Sequence, residues 1–303
     1  MYLRIPITLL GLSVASAVSV TWADESSGGM TETPVFTTEG YGRHIAVLAS
    51  DEFEGRRPAT PGGEKTVGYI ESVFRELGLK HGVGDSYKQA VPFVELANRP
   101  SDTLKIDGKG EPLELRYGNE AVYWTKRVVP EVSIQNSELV FVGYGIVDAA
   151  LGWNDYAGLD MKGKTAVILV NDPGYATGDE DLFNGRAMTY YGRWTYKYEE
   201  ASRQGAAGAI IVHEEKPAAY PWAVVQNGAA RPQLDIDAPD GNADRVAIEG
   251  WMTRDSAERV FAAAGLDYDQ MKARAAKPGF KPVSMGLNAS ASVRNAVRRA
   301  TSY

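Results

Sequence analysis

The clearest pattern in the chain is an amphipathic stripe between Glu64 and Leu77. Within it, Val67, Ile70 and Phe74 recur at three- and four-residue intervals, and charged residues lie between them. This spacing puts the apolar side chains on one face of a helix. The pattern therefore predicts a helix over 64–77, ended by the glycine that follows Leu77.

Four shorter segments also have the spacing of helices. Two of them begin with residues that commonly cap a helix N-terminus, because Thr253 precedes one and Asp267, with Gln270 three positions on, opens another. The four predicted helices are 39–50, 196–204, 253–264 and 267–276.

Three apolar runs rich in valine and isoleucine predict buried strands, at 138–146, 165–172 and 207–213. Short β-like pieces separated by turns fill 87–133, and the final run 287–303 alternates in a way that predicts a strand. Helices interspersed with such strands indicate an α/β (α+β) fold class.

Composition narrows the function. The 303 residues carry a net charge of −7, which argues against a nucleic-acid partner because binding to phosphates needs a basic face. Cysteine is absent from the sequence, which excludes disulfides, thiolate catalysis and cysteine-based metal sites. Only three histidines are present, at positions 44, 81 and 213.

The N-terminus has the pattern of an export signal. Arg4 precedes an apolar stretch that is shorter than the ~20 residues a membrane span needs, and small residues follow it. We expect a signal peptide over 1–23 and a polar linker over 24–38, and hence a secreted or periplasmic protein with no membrane attachment after cleavage. The alternative is a membrane anchor.

A phosphate-loop pattern and the beginning of a dinucleotide-binding pattern both occur in the sequence, but neither has the context that its function requires. Residues 158–165 match GxxxxGKT, but Thr165 leads straight into a β-branched run instead of a helix, so we expect a turn that enters a strand. Gly143-Tyr144-Gly145 matches the start of the dinucleotide-binding pattern GxGxxG, but Asp148 stands where the pattern has its last glycine. We therefore expect an ordinary loop here.

The histidines are weak candidates for catalysis or metal binding. His44 and His81 lie in and just after predicted helices, and His213 ends a predicted strand beside Glu214 and Glu215. Neighbouring side chains in a strand point to opposite faces, so this triplet would chelate a metal poorly. No HExxH or GxSxG motif occurs, although the order of residues alone does not exclude a Ser-His-Asp triad.

Two polar segments are candidates for recognition. The charged turn 51–57 is either a local salt-bridged cap or a docking element. The segment 186–198 is dense in aromatic and cationic residues, among them Tyr191 and Trp194, and is either a recognition surface or the partly buried start of a helix.

Several motifs together resemble the M28 family of zinc aminopeptidases. The runs LASDEFEGR (48–56), TPGG (60–63), FRELGL (74–79) and YKQAVPF (87–93) are similar to the N-terminal signature of that family. The runs LVFVGYGI (139–146), WNDYAGLD (153–160), KGKT (162–165) and GAAGAIIV (205–212) are similar to the protease-associated (PA) domain that many secreted members carry as an insertion.

The resemblance implies a domain plan. It gives an N-terminal peptidase segment at 39–133, an inserted PA domain at 134–285, formed by a β-sheet or barrel with flanking helices, and the start of the catalytic domain at 286–303. In the complete family enzyme, two zinc ions and a glutamate base hydrolyse the N-terminal residues of peptides. The family places its first zinc ligands in a His-x-Asp motif after the PA domain, and this sequence contains no such motif.

The interpretation that follows is an incomplete peptidase domain. No catalytic, metal or cofactor residue of the family is assigned to any position here, and we expect the chain alone to be inactive, with peptides as the substrates of the complete enzyme. The alternative is a secreted PA-type module that binds peptides or proteins without catalysis. We also expect poor stability, because the apolar stripe of helix 64–77 and the terminal strand would lack partners.

Overall fold

The computed structural model describes residues 36–108 and 110–303. The predicted signal peptide and most of the predicted linker lie outside the described residues. The chain divides into one compact unit that ends at Ser50 and a second that runs from Asp51 to Tyr303. In the described part of the chain, no helix is long and apolar enough to cross a membrane.

The first unit contains one described helix, α1 (Thr38–Leu48). Thr37 caps its N-terminus, since its Oγ1 accepts a hydrogen bond from the backbone N–H of Gly40 at 3.0 Å. This confirms the predicted helix 39–50.

The second unit holds the other helices and all the described strands. Its α-helices are α2 (Pro61–Glu76), α3 (Pro173–Thr177), α4 (Trp194–Arg203), α5 (Glu215–Ala218), α6 (Trp222–Ala229), α7 (Arg254–Ala263) and α8 (Tyr268–Ala275). Short 3-10 turns cover Asp51–Arg56 and Tyr190–Gly192.

The strands belong to one large sheet and one small ribbon. They are β1 (Val91–Pro100), β2 (Thr103–Asp107), β3 (Leu113–Arg116), β4 (Ala121–Trp124), β5 (Glu131–Phe141), β6 (Val147–Asp148), β7 (Trp153–Asn154), β8 (Thr165–Leu169), β9 (Gly208–His213), β10 (Gln233–Ile236), β11 (Ile248–Thr253) and β12 (Val283–Ser302). The fold is mixed α/β, as predicted.

The large sheet has the order β10-β1-β12-β5-β8-β9-β11-β4, with β2 and β3 attached beside β12. Its centre, from β5 through β8 and β9 to β11, is parallel, and the remaining pairs are antiparallel. Asn98 of β1 accepts a hydrogen bond at 2.8 Å from the backbone N–H of Thr125, just after β4. This contact joins two distant strands of the order, so the sheet is nearly closed.

Both faces of the parallel strands are buried. Along β8, Val167 and Leu169 pack into one apolar core with the helices α7 and α8. Ala166 and Ile168 pack on the other face, in a second core that includes residues of α4 and α6. The continuous apolar runs of the sequence reflect this double coverage.

Glycines and left-handed residues decide where the strands stop. The predicted strand 138–146 ends at Phe141, because Gly143 and Gly145 adopt φ of 58° and 62°. The predicted strand 165–172 ends at Leu169, close to Asn171 with φ of 68°. These early ends shape the loops that carry the candidate site.

The prediction that the terminal strand would form an unpaired edge is wrong. β12 lies inside the sheet, paired with β1 from Val91↔Ser302 to Pro100↔Val293 on one side and with β5 on the other. The sheet also continues across the predicted domain limits at 133/134 and 285/286, within β5 and β12. The domain plan itself stays a prediction.

Candidate functional site

The four parallel strands end at one edge of the sheet, where a cavity of about 750 Å³ opens. Tyr144 follows β5, Val170 follows β8, His213 ends β9 and Thr253 ends β11, and all four line the cavity. In parallel α/β sheets, whether open or closed, ligands commonly bind outside the carboxyl ends of the strands. We call this space the strand-end cavity, and its position makes it the candidate functional site.

One wall of the cavity is an ion-pair network around the buried carboxylate of Glu214. Lys272 of α8 donates to both of its oxygens, at 2.7 and 2.6 Å, and Arg254 lies 3.5 Å from one of them. Arg254 also pairs with Glu258 at 2.7 Å and with Asp269 at 3.0 Å. The network ties the start of α7 to α8 and to the residue that follows β9.

Two other cations line the cavity without such a partner. The side chains of Arg186 and Lys216 are exposed, and within the described residues neither has an ion pair. An anionic group that enters the cavity would therefore find positive charge that is not already neutralised.

His213 is a buried ring packed among aromatic side chains. Its Nε2 lies 3.1 Å from the carbonyl oxygen of Tyr220, and the rings of Trp222 and Trp251 lie 5.5 and 5.9 Å from its own. Burial lowers the pKa of His213 below its usual range. A packed imidazole of this kind shapes the cavity wall, and its Nε2 is already hydrogen-bonded.

Behind the cavity lies a buried polar group that the sequence did not reveal. Lys197 of α4 is fully buried and donates to the carbonyl oxygen of Tyr144 at 2.6 Å. The neighbouring carboxylate of Asp155 accepts from the backbone N–H of Ile146 at 2.9 Å and from the Trp153 indole at 2.7 Å. These bonds hold the loop after β5 and so position Tyr144 at the cavity.

Burial governs the protonation of this group. It lowers the pKa of Lys197 to about 7, against the attraction of Asp155 and Asp172. It likewise raises the pKa of Asp155 to about 7, although hydrogen bonds and Lys197 oppose the shift. Charged forms are costly in this environment because they lose water.

The described residues do not fit a zinc ion. Among the described residues, no group of three or more histidine, aspartate or glutamate side chains is arranged to hold a metal. In the triplet His213-Glu214-Glu215, the imidazole Nε2 is bonded to Tyr220 and the Glu214 oxygens are held by Lys272. We therefore derive no chemical step through a metal here, and the expected lack of zinc ligands stays a prediction.

The remaining candidates are dispersed. His44 lies in α1, and His81 packs against the Tyr87 ring at 4.4 Å between ring centres. In the charged turn 51–57, Glu52 pairs with Lys65 at 3.3 Å and Arg57 with Glu95 at 2.6 Å. These two bonds tie the turn to α2 and β1, which favours the local structural interpretation.

The aromatic segment 186–198 is partly a buried helix start and partly an exposed surface, so each of the two predicted alternatives applies to some of its residues. Tyr196, Lys197 and Tyr198 are buried in α4, whereas Trp194 stays 38% exposed at the start of the helix. Tyr191 packs against the core. Only part of the segment is therefore available as a surface.

The phosphate-loop pattern at 158–165 is a turn that enters β8, as predicted. Gly158 and Gly163 have φ of 79° and 76°, and β8 begins at Thr165. The amides that would cradle a phosphate instead belong to this turn and to the sheet. Gly143-Tyr144-Gly145 forms the loop that brings Tyr144 to the cavity.

No protein-family model matches the chain, and no curated protein matches it. The chain is similar to the solved structure of an aminopeptidase from Aneurinibacillus sp. strain AM-1, with 20% identity and a TM-score of 0.37, over 87% of this chain and 46% of that one. It is also similar to a zinc aminopeptidase from Bacillus subtilis, with 14% identity and a TM-score of 0.31, over 86% and 45%. The chain spans less than half the length of these structures.

Proposed function

We propose that this chain is a peptide-binding part of an exported zinc aminopeptidase of the M28 type, and that it does not itself hydrolyse peptides. Two features support the proposal. The ordered motifs of residues 48–93 and 139–212 resemble that family and its PA domain. The strand-end cavity, which carries the proposal, is large enough for a short peptide and presents charges of both signs.

The cavity is suited to a peptide with a free carboxylate. Of the cations that line the cavity, Arg186 and Lys216 are the two for which the described residues provide no ion pair, so they are free to meet an anionic end group. The paired wall of Glu214, Lys272 and Arg254 offers a fixed polar surface for the peptide backbone. Substrate contact is assigned to these groups and bond cleavage to none of them.

The binding test is a calorimetric titration with trialanine, in free and C-terminally amidated forms. We expect the double variant Arg186→Ala/Lys216→Ala to bind the free form about fivefold or more weakly, since two exposed charge contacts are lost, and to bind the amide as the wild type does. The matched control is Arg294→Ala/Lys277→Ala, which removes two exposed cations that do not line the cavity. Failure of the wild-type protein to bind either peptide saturably would refute the proposed site.

The chemical part of the proposal has a separate test. The purified chain is assayed with zinc against an amino-acid anilide, and we expect no turnover above background. Turnover that a chelator removes would show that this chain carries its own metal chemistry.

A second candidate is a PA-type binding module that works without a peptidase, because aromatic residues of the segment 186–198 remain partly exposed. Saturable peptide binding that is lost in Trp194→Ala and Tyr191→Ala, but not in the cavity variant, favours this candidate. The gene also separates the two, since a reading frame that continues past codon 303 into a His-x-Asp motif supports the peptidase.

A further inference from the structure

A second cavity, of about 230 Å³, has walls of aromatic rings. Trp124 of β4, Trp251 of β11 and Trp194 at the start of α4 converge there with Tyr220, so three of the six tryptophans of the sequence meet in one place. The helix α6 closes the remaining side. We call this space the aromatic pocket. It shares no lining residue with the strand-end cavity.

The pocket is open at an apolar rim. Trp194 is 38% exposed and Val224 of α6 is 52% exposed, and both line the pocket. Large apolar side chains are normally withdrawn from water, and a cluster of them around a concave site marks a place where another apolar group is bound.

The charged groups around the pocket contact one another or the aromatic rings, although Glu249 Oε1 has no hydrogen-bond partner among the described residues. The Trp124 indole donates to the buried carboxyl of Glu249 at 3.0 Å. Lys126 lies over the Trp194 ring, 6.0 Å from its centre, and 3.7 Å from Asp235. A second cation at Trp194 would be repelled by this amine, and an anion would approach the buried acid of Glu249. The surroundings therefore favour an uncharged ligand.

Size narrows the ligand further. A cavity of about 150 Å³ in another protein binds benzene. A pocket of about 230 Å³ therefore has room for a benzyl or indole group. Rings also gain from edge-to-face and offset contacts with an aromatic wall, beyond the area they bury.

We propose that the aromatic pocket binds one uncharged aromatic side chain, presented either by a single amino acid with blocked ends or by a peptide. The site goes beyond peptide binding in the strand-end cavity and does not depend on it, because the two sites have different walls and different chemistry.

Gly228 provides a way to block the pocket. It lines the pocket from α6, and a Cβ added there meets no atom within 4 Å, so a leucine at this position is accommodated at the pocket wall. Gly68 is the matched control, since it is also a helical glycine with open space, on the exposed side of α2. Both substitutions raise helix propensity, and only Gly228→Leu adds a bulky side chain to a residue that lines the pocket.

The experiment is a ligand-observed NMR titration with N-acetylphenylalanine amide. We expect saturable binding to the wild type on the order of 1 mM, as suits a small ligand, unchanged binding to Gly68→Leu, and at least tenfold weaker binding to Gly228→Leu. N-acetylalanine amide, which lacks the ring, should not saturate. A blocked peptide with a central phenylalanine tests the source, because tighter binding than the amide assigns the ring to a peptide and equal binding assigns it to a single amino acid.

Three results would overturn the proposal: no saturation by the phenyl ligand, equal binding by Gly228→Leu, or equal binding of the alanine amide. Circular dichroism confirms that each variant is folded. If Gly228→Leu does not fold, Trp194→Ala replaces it, since Trp194 is partly exposed and lines the rim. Retained binding in Trp194→Ala then counts against the pocket.

Discussion

At the residue scale, Lys197 shows how one side chain links the helix α4 to the candidate site. Its amine reaches the carbonyl oxygen of Tyr144, in a loop that needs left-handed glycines on both sides. Burial removes water from both charged groups, and it shifts the pKa of Lys197 down and the pKa of Asp155 up, each to about 7. A buried amine tuned in this way has a signature in the dependence of stability on pH.

The sign of that dependence follows from proton linkage. Above pH 7 the folded Lys197 is neutral while the unfolded chain keeps its proton up to about pH 10, so the free energy of unfolding rises with pH in this range. We expect Lys197→Met to remove this rise, at most about 1.4 kcal/mol per pH unit. Urea unfolding from pH 7 to 9.5 measures it.

The exposed Lys277→Met is the control and should keep the wild-type slope. Asp155 has the opposite effect on stability at lower pH. Because its pKa is raised, the free energy of unfolding falls as pH rises from about 4 to 7. If the free energy of unfolding depends on pH in the same way for Lys197→Met and the wild type, burial does not lower the pKa of Lys197 as described.

At the element scale, the caps Thr253 and Asp267 lie where the sequence predicts them, whereas α2 begins at Pro61, three residues before its predicted start. Thr60 caps α2, with Oγ1 accepting from Gly63 at 3.3 Å, but Ile70, Phe74 and Leu77 remain 40%, 38% and 62% exposed. The stripe of α2 is thus only partly covered within the second unit, in line with the expectation that it would lack a partner.

Thr253 carries an element-scale prediction, because it both caps α7 and lines the strand-end cavity. Its Oγ1 accepts from the backbone N–H of Ser256 at 3.2 Å. We expect Thr253→Ala to lower the free energy of unfolding by roughly 0.5–2 kcal/mol and Thr253→Ser to retain most of it, because serine keeps the capping oxygen. Urea denaturation decides, and equal losses in both variants would show that the methyl group matters instead.

At the scale of the whole molecule, β12 holds the sheet together. It connects β1 and β2 with β5, and thereby joins the antiparallel strands to the parallel centre. Poor stability was expected partly because the terminal strand would lack a partner, and that reason no longer applies. The stability of the chain stays a prediction.

A truncation tests this role of β12. We expect a chain that ends at Met285 to lose cooperative thermal unfolding, since β1 and β5 would expose unpaired edges. Removal of Tyr303 alone, which is half exposed, should leave the transition close to that of the full chain. Differential scanning calorimetry makes the comparison, and a sharp transition in the shorter chain would place the stability elsewhere.

The sequence by itself determined the local elements. Periodicity located the helix 64–77 and the runs that become β8 and β9, and side-chain chemistry marked the caps Thr253 and Asp267, because these signals act within a few residues. It missed β11, where Glu249 and Gly250 interrupt the apolar pattern. Only packing explains that strand, since Glu249 is paired with Trp124 and a Cβ at Gly250 would lie 2.7 Å from the Val122 carbonyl oxygen.

The tertiary structure alone decided which distant residues meet. The parallel order of β5, β8, β9 and β11 gathers Tyr144, His213 and Thr253 at one cavity, although they lie far apart in the sequence. The aromatic pocket likewise joins Trp124, Trp194 and Trp251. Strand order and the pairing of β12 depend on contacts between remote segments, and no local pattern of side chains encodes which remote partner a strand will find.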